Sequence, residues 1–180
     1  MRKVIHKWFW IWDFDKEEKW LNEMAAKGLA LTSVGFCRYE FEDCVPGEYK
    51  ICLEFLENRF SEVENAKYIE FLEETGAEHV GTFAGWAYFR KRTTEENFKL
   101  FSENTSRIKH LTRIINFVIP LLGLNLYAGC YNLFLYFYWH HNSVNIIGIV
   151  NLLIAVLIMP GLIRLLQKRN KLKSEQQIYE

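Results

Sequence analysis

The chain reads as an α+β protein in two parts, a small mixed domain over residues 1–92 followed by a pair of membrane-crossing helices. Three observations carry that reading. Residues 114–139 and 144–166 are apolar runs with no Asp, Glu, Lys or Arg before Arg164. Each is longer than the roughly 20 residues that a helix needs to cross a hydrocarbon core of about 30 Å. Residues 1–92 instead alternate short β-branched and aromatic runs with two helical patterns closed by glycine. Charge divides at the same place: residues 1–92 carry 13 Lys/Arg against 17 Asp/Glu, net −4, and residues 93–180 carry 9 against 5, net +4.

The cations orient the hairpin. Arg107, Lys109 and Arg113 precede the first apolar run, and Arg164, Lys168, Arg169, Lys171 and Lys173 follow or close the second. The connection His140-His141-Asn142-Ser143 has no Lys or Arg. The positive-inside bias therefore predicts a multi-pass protein of the cell membrane with both termini cytoplasmic, and Tyr136, Tyr138 and Trp139 fall where an interfacial aromatic belt belongs. Residues 1–12 are short, interrupted by charge and without a small-residue cleavage site, so they do not read as a signal peptide. The resulting plan is a cytosolic domain at 1–92, an amphipathic juxtamembrane helix at 93–113, transmembrane helices at 114–139 and 144–166, an extracytoplasmic loop at 140–143 and a basic cytosolic tail at 167–180. An acidic domain on a basic base argues against direct nucleic-acid binding and assigns the cations to lipid headgroups.

Within the domain, residues 3–12 read as a strand, apolar on both faces at its end and so central and covered. Asp15 with Glu18 forms a capping box that opens a helix through Trp20, Leu21, Met24 and Ala25 to Gly28. Residues 29–41 and 48–56 read as two strands joined across Pro46-Gly47, with a bulge at Gly35. Ser61 with Glu64 opens a second helix ending at Gly76, and residues 78–83 and 85–91 form a broken strand or small hairpin. This βαββαβ order predicts a ferredoxin-like antiparallel sheet with two helices on one face. Thr93 with Glu96 is a third capping box, starting a helix with no stop before the bilayer.

The stretches FWIWDFDKEEKWLNEMAAKGLAL, FCRYEFEDCVPGEYKICLEFLE and YIEFLEETGAEHVGTFAGWAYFRKR resemble DUF2812, a domain-of-unknown-function family found mainly in Firmicutes. The resemblance covers about residues 3–92, and WDF-x-KEE-x-WLN-x-MA is its most distinctive part. It implies a bacterial, membrane-anchored protein with a regulatory or sensory role, encoded beside PadR-type transcriptional repressors. It implies no catalytic residue.

Candidate sites are of two kinds. Trp8, Trp10, Trp12, Trp86 and Tyr88 form a partner-binding face if the helices cover only the other side of the sheet, and core filling is the competing reading. In the hairpin, Asn125, Gly129, Asn132, Gly148 and Asn151 lie where facing helices pack: Asn132 and Asn151 share a depth, and Gly129 and Gly148 permit close approach. Catalytic chemistry is not assembled anywhere. Asp13, Asp15, Glu17 and Glu18 are explained by a helix start, His140 and His141 lack a third ligand, and His6 and His79 have no neighbouring acid, nucleophile or phosphate cradle. Cys37, Cys44, Cys52 and Cys130 lack zinc spacing, and Cys37 and Cys52 point to opposite faces. No metal and no cofactor is expected. The leading expectation is a non-enzymatic regulator whose partners are membrane lipid, a cytosolic regulator or a second copy. The alternatives are an accessory subunit of a membrane transporter and a membrane-tethered enzyme.

Overall fold

The computed structural model describes residues 2–56, 62–93, 104–139 and 142–179. The chain divides into two compact units, Met1–Ser102 and Glu103–Glu180. The first runs β1 (Lys3–His6), α1 (Phe14–Ala26), β2 (Leu29–Gly35), β3 (Arg38–Asp43), β4 (Tyr49–Phe55), α2 (Glu62–Glu74), β5 (Glu78–Phe83) and β6 (Trp86–Arg92), with a 3-10 turn Ile11–Asp13 leading into α1. The described strands make two antiparallel three-stranded sheets, in the orders β1-β3-β2 and β4-β6-β5.

Both sheets have one connectivity, strand-helix-strand-strand with the last strand in the middle. The halves are offset by 48 residues: Phe14–Ala26 becomes Glu62–Glu74, and the glycines that end the two helices are Gly28 and Gly76, with φ of 82° and 83°. The same offset relates the ladder irregularities, between Leu31 and Ser33 and between His79 and Gly81. It also relates the left-handed turn residues Cys37 and Gly85. Landmarks at one spacing, with no insertion between them, mark a βαββ unit present twice.

The mixed α+β class stands, but the pairing does not follow the ferredoxin-like βαββαβ order. Residues 29–41 are not one strand, because the chain reverses at Phe36–Cys37, where Cys37 takes a φ of 53°. Nor is the first strand central. β1 lies at a sheet edge, and its pairing with β3 closes where Lys7 N–H donates to the Cys37 carbonyl at 3.1 Å. Beyond that turn β3 offers no partner, so residues 8–10 leave the ladder.

Helix α1 shows a buried stripe of Phe14, Glu17, Leu21, Met24 and Ala25 at helical spacing. Full burial of a side chain such as Leu21 or Phe41 contributes roughly 1.5–3 kcal/mol. The expected Asp15–Glu18 box is not made: the helix begins at Phe14, and Asp13 at the N-cap makes no side-chain cap bond. Glu18 instead accepts Leu53 N–H at 3.0 Å. One turn on, Asn22 Oδ1 accepts Ile51 N–H at 2.9 Å and its Nδ2 donates to the Ile51 carbonyl at 2.8 Å. Two α1 side chains thus satisfy the outer edge of β4 as another strand would. On the opposite face of that sheet, Leu72 and Ala77 pack with Leu56, Ala87 and Phe89. Arg90 on β6 ties the two sheets, pairing with Glu78 at 2.7 Å and Glu42 at 3.1 Å and donating to the Leu31 carbonyl at 3.1 Å.

The second unit is two helices, α3 (Asn104–Trp139) and α4 (Asn142–Tyr179). Within them, Arg107–Tyr138 and Ile146–Gln176 are long and apolar enough to cross a membrane, their most apolar 18-residue stretches having mean hydropathies of 1.6 and 2.7. Residues 167–176, expected as a tail, continue α4, and the juxtamembrane residues 107–113 continue α3 without a break. Glu96 and its capping box, like His140 and His141, lie outside the described residues. Where the helices meet, Leu111, Ile114, Ile115, Val118, Ala155, Ile158 and Leu165 are buried. Large apolar side chains such as Leu124, Phe134, Val156 and Leu157 face outward, an arrangement suited to a lipid solvent.

Replacing Asn22 by Leu leaves the Ile51 amide and carbonyl without their partner. The expected cost is about 2 kcal/mol in chemical denaturation of the full chain in detergent. Exposed Glu23→Leu serves as the neutral control, and equal stability of the two variants would refute the edge-capping role.

Candidate functional site

The segment that leaves β1 carries two exposed indole rings, and a third exposed ring lies on the β2–β3 turn beside it. Trp8 is 54 % exposed, Trp10 42 % and Phe36, at the β2–β3 turn, 70 %. Anchoring of Lys7 to Cys37 brings segment and turn together, and the rings pack edge-on: Trp8 against Trp10 at 5.4 Å and against Phe36 at 5.8 Å. Trp10 stacks flat on Trp12 at 5.1 Å, and Phe36 lies 6.2 Å from Phe83 of the second hairpin turn. Such pairs contribute roughly 0.5–1.5 kcal/mol each, which holds the surface in one shape while leaving it wet. An exposed apolar cluster of this kind marks a contact surface.

The five aromatic residues singled out in the sequence do not lie on one face. Trp8, Trp10 and Trp12 belong to this patch. Trp86 and Tyr88, 6 % and 4 % exposed, fill the core beneath α1, because β6 is the middle strand of its sheet. Trp86 packs on Phe14 at 5.2 Å and on Phe55 at 5.1 Å. Tyr88 turns its hydroxyl to α1 instead of outward.

There it meets the most unusual group in the domain. Glu17 Oε1 accepts hydrogen bonds from Tyr39 of β3 and Tyr88 of β6, both at 2.7 Å. One buried carboxylate therefore joins a helix to both sheets. Burial pushes the Glu17 carboxyl above the usual carboxylate range, opposed by the two phenols that stabilise its charged form. Burial and the adjacent carboxylate raise both tyrosines far above the usual phenol range, so they remain donors. Beside it, burial raises Glu18 as well, offset by its bond from Leu53 N–H.

In the hairpin the sequence-derived set takes two roles. A Cβ on Gly129 would lie 2.7 Å from Leu152 Cδ2, and one on Gly148 would lie 3.2 Å from the Asn132 Cβ and from the Gly129 carbonyl oxygen. The two glycines therefore sit where α3 and α4 approach too closely for a side chain to fit without a shift. The amides of Asn125 and Asn132 donate along their own helix, to the Leu121 and Ala128 carbonyls at 2.8 and 2.7 Å. Asn151 is half-buried on α4. On the outer face of α3, Tyr127 stacks on Tyr131 at 5.9 Å and Phe134 on Tyr138 at 5.6 Å.

Among the described residues no three His, Cys, Asp or Glu side chains converge on a metal position. The four cysteines are free thiols. Sequence reasoning missed Glu17, Glu18 and Asn22 as structural ties, although Glu17 shares its helical face with Leu21 and Met24, and Glu18 and Asn22 stand four apart on the adjoining face. It missed Phe36 because the exposure of that ring depends on a turn that reads locally as strand.

A family model described as a protein of unknown function (DUF2812) matches residues 13–122, which takes in α1 and the first part of α3. No curated protein and no solved structure matches the chain.

A carboxyl whose pKa rises on folding holds its proton more tightly in the folded state. Glu17 thus contributes no pH dependence well below the ordinary carboxylate range, and stability falls as pH climbs from there through its raised value. Glu17→Gln should flatten that slope in denaturation curves recorded across the interval, leaving the part that the raised Glu18 contributes, and an unchanged slope would show that the proton is bound elsewhere. In the hairpin, Gly148→Leu should lower the thermal transition of the detergent-solubilised chain. Gly123→Leu, at a position with nothing within 4 Å of an added Cβ, should not.

Proposed function

Starting from the chain's membership of the DUF2812 family, we propose that it is a membrane-anchored, non-enzymatic regulatory or sensory protein. In this reading the α3–α4 hairpin is the anchor, both termini are cytoplasmic, and the domain captures a cytosolic regulator through Trp8, Trp10, Trp12 and Phe36. The observation that carries it is the exposed, mutually packed ring cluster in a chain that also holds two helices apolar enough to span a bilayer. Aromatic anchors dominate interface energetics, and rings already fixed against one another lose little freedom on binding. The positive-inside distribution of Arg107, Lys109, Arg113 and Arg164 to Lys173 supports the orientation. A PadR-type repressor is the partner class that the family resemblance suggests.

A second reading, an accessory subunit of a membrane transporter, draws on the stacked rings along the outer face of α3. The Tyr127 and Tyr131 phenols, inside the span, favour a protein neighbour over hydrocarbon, because a buried hydroxyl needs a partner.

Crosslinking in native membranes followed by mass spectrometry separates the two. Trp8→Ser combined with Trp10→Ser should reduce recovery of a cytosolic partner by more than about tenfold, with the chain still in the membrane fraction. Unchanged recovery of a cytosolic partner would remove the ring cluster from the proposal, and exclusive recovery of an integral membrane protein would favour the transporter reading.

A further inference from the structure

The two βαββ halves differ at one edge. In the second half, the outer edge of β4 is closed by Glu18 and Asn22. The corresponding edge in the first half is β1, and the residues 48 positions on from Glu18 and Asn22 are Ala66 and Glu70 on α2. Alanine carries no donor or acceptor to close an edge. Among the described residues, no side chain bonds to the main chain of Val4 or His6.

The register identifies which groups are open. Lys7 N–H bonds to the Cys37 carbonyl, in step with the β1–β3 register, so Ile5 and Lys3 occupy the hydrogen-bonded pairs with Tyr39 and Phe41. The intervening pairs, Val4 with Glu40 and His6 with Arg38, then turn the amides and carbonyls of Val4 and His6 outward. Lys3, Val4 and His6 are exposed and Ile5 is half-buried. This four-residue edge lies beside the ring cluster: Trp8 follows His6 by two residues, a distance of about 7 Å along an extended chain.

Charge narrows the occupant. The domain is acidic, yet Arg2 and Lys3 belong to this edge, the Lys7 ammonium lies beside it over the Phe9 and Trp20 rings, Glu40 opposite Val4 is paired with Arg38 at 2.9 Å, and no Asp or Glu precedes Asp13. A second copy added through the same strand would set those cations against their own equivalents, and like charges across a strand pair are destabilising. We infer that β1 is a docking edge for an extended, acidic segment of a partner protein, which adds as a strand beside Val4 and His6 and seats an apolar side chain on Trp8, Trp10 and Phe36. Main-chain bonds supply affinity in this mode, and the ring cluster and the cations supply selectivity. The inference deepens the proposed role of the ring cluster and rests on it for the anchor alone.

The test uses the full chain in lipid nanodiscs and a fluorescein-labelled peptide of alternating Glu and Val with a terminal Phe, read by anisotropy. Saturable binding is expected, weakened at least about tenfold when Lys replaces each Glu or when the peptide amides facing β1 are N-methylated. Val4→Pro, which removes the outward amide, should match the N-methylated peptide, whereas Val4→Ala should bind as the parent does. No binding, equal binding of the Lys peptide or indifference to N-methylation would overturn strand addition, and the peptide modifications make that outcome independent of how the proline variant folds. Loss of partner crosslinking in the Trp8→Ser, Trp10→Ser chain together with indifference to N-methylation would leave the ring surface standing and strand addition refuted. The converse pattern, N-methylation-sensitive binding with partner crosslinking unchanged, would refute the ring surface and uphold the edge.

Discussion

The α/β unit is organised by three polar side chains on one helix. Glu17 receives a phenol from each sheet, while Glu18 and Asn22 take up the free main-chain groups of β4. A buried carboxylate is costly unless its oxygens are well bonded, and two short hydroxyl donors on one oxygen meet that condition. The consequence is positional. A helix that slid by one turn would strand Glu17 in an apolar core and open the β4 edge together, so α1 has one acceptable seat. Apolar packing alone tolerates small slides, whereas hydrogen bonds across the same interface specify register. The run KEE-x-WLN within the region matched by the family model encodes this seat: Glu17, Glu18 and Asn22 are its polar half, and Trp20 and Leu21 its apolar half.

Seen as a duplication, the unit has halves that differ in their polar ties among the described residues. Glu17, Glu18 and Asn22 have as their counterparts Asn65, Ala66 and Glu70. The apolar positions are kept in kind, Leu21 against Ile69 and Met24 against Leu72, while the polar ties are not. Packing therefore survives in both halves, whereas among the described residues side chains of a helix close a strand edge at β4. Arg90 and Glu42, themselves 48 residues apart, form an ion pair that joins the halves at equivalent points. Arg90 is the more enclosed member, and its further bonds to Glu78 and the Leu31 carbonyl make it a junction of four strands.

The helical unit has the length and composition for a different solvent, two helices apolar enough to cross a membrane. Its buried residues are few, and its glycines are where side chains would otherwise hold the helices apart. In a lipid surround, burying Leu or Ile brings no hydrophobic gain, so association there would depend on close backbone approach and van der Waals contact, which Gly129 and Gly148 permit. Asn125 and Asn132 of α3 bond to their own helix backbone, and that internal satisfaction lowers the cost of an amide in an apolar surround.

Periodicity and composition alone were enough for the mixed class, both long helices, the α1 stripe and the approach of Gly129 to Gly148, because each follows from spacing along one chain segment or from pairing two segments at equal depth. The offset between Gly28 and Gly76 was also present in the sequence as a sign of duplication, though few side chains repeat around it. What tertiary structure decided was everything set by a neighbour distant in sequence. Whether residues 8–12 were strand depended on β3 beginning only at Arg38. Whether Trp86 and Tyr88 were surface or core depended on β6 lying in the middle of a sheet beneath α1. Whether Glu18 capped a helix or an edge depended on Leu53, 35 residues away. Local pattern reports what a residue prefers to be near, and only the folded chain determines what is there.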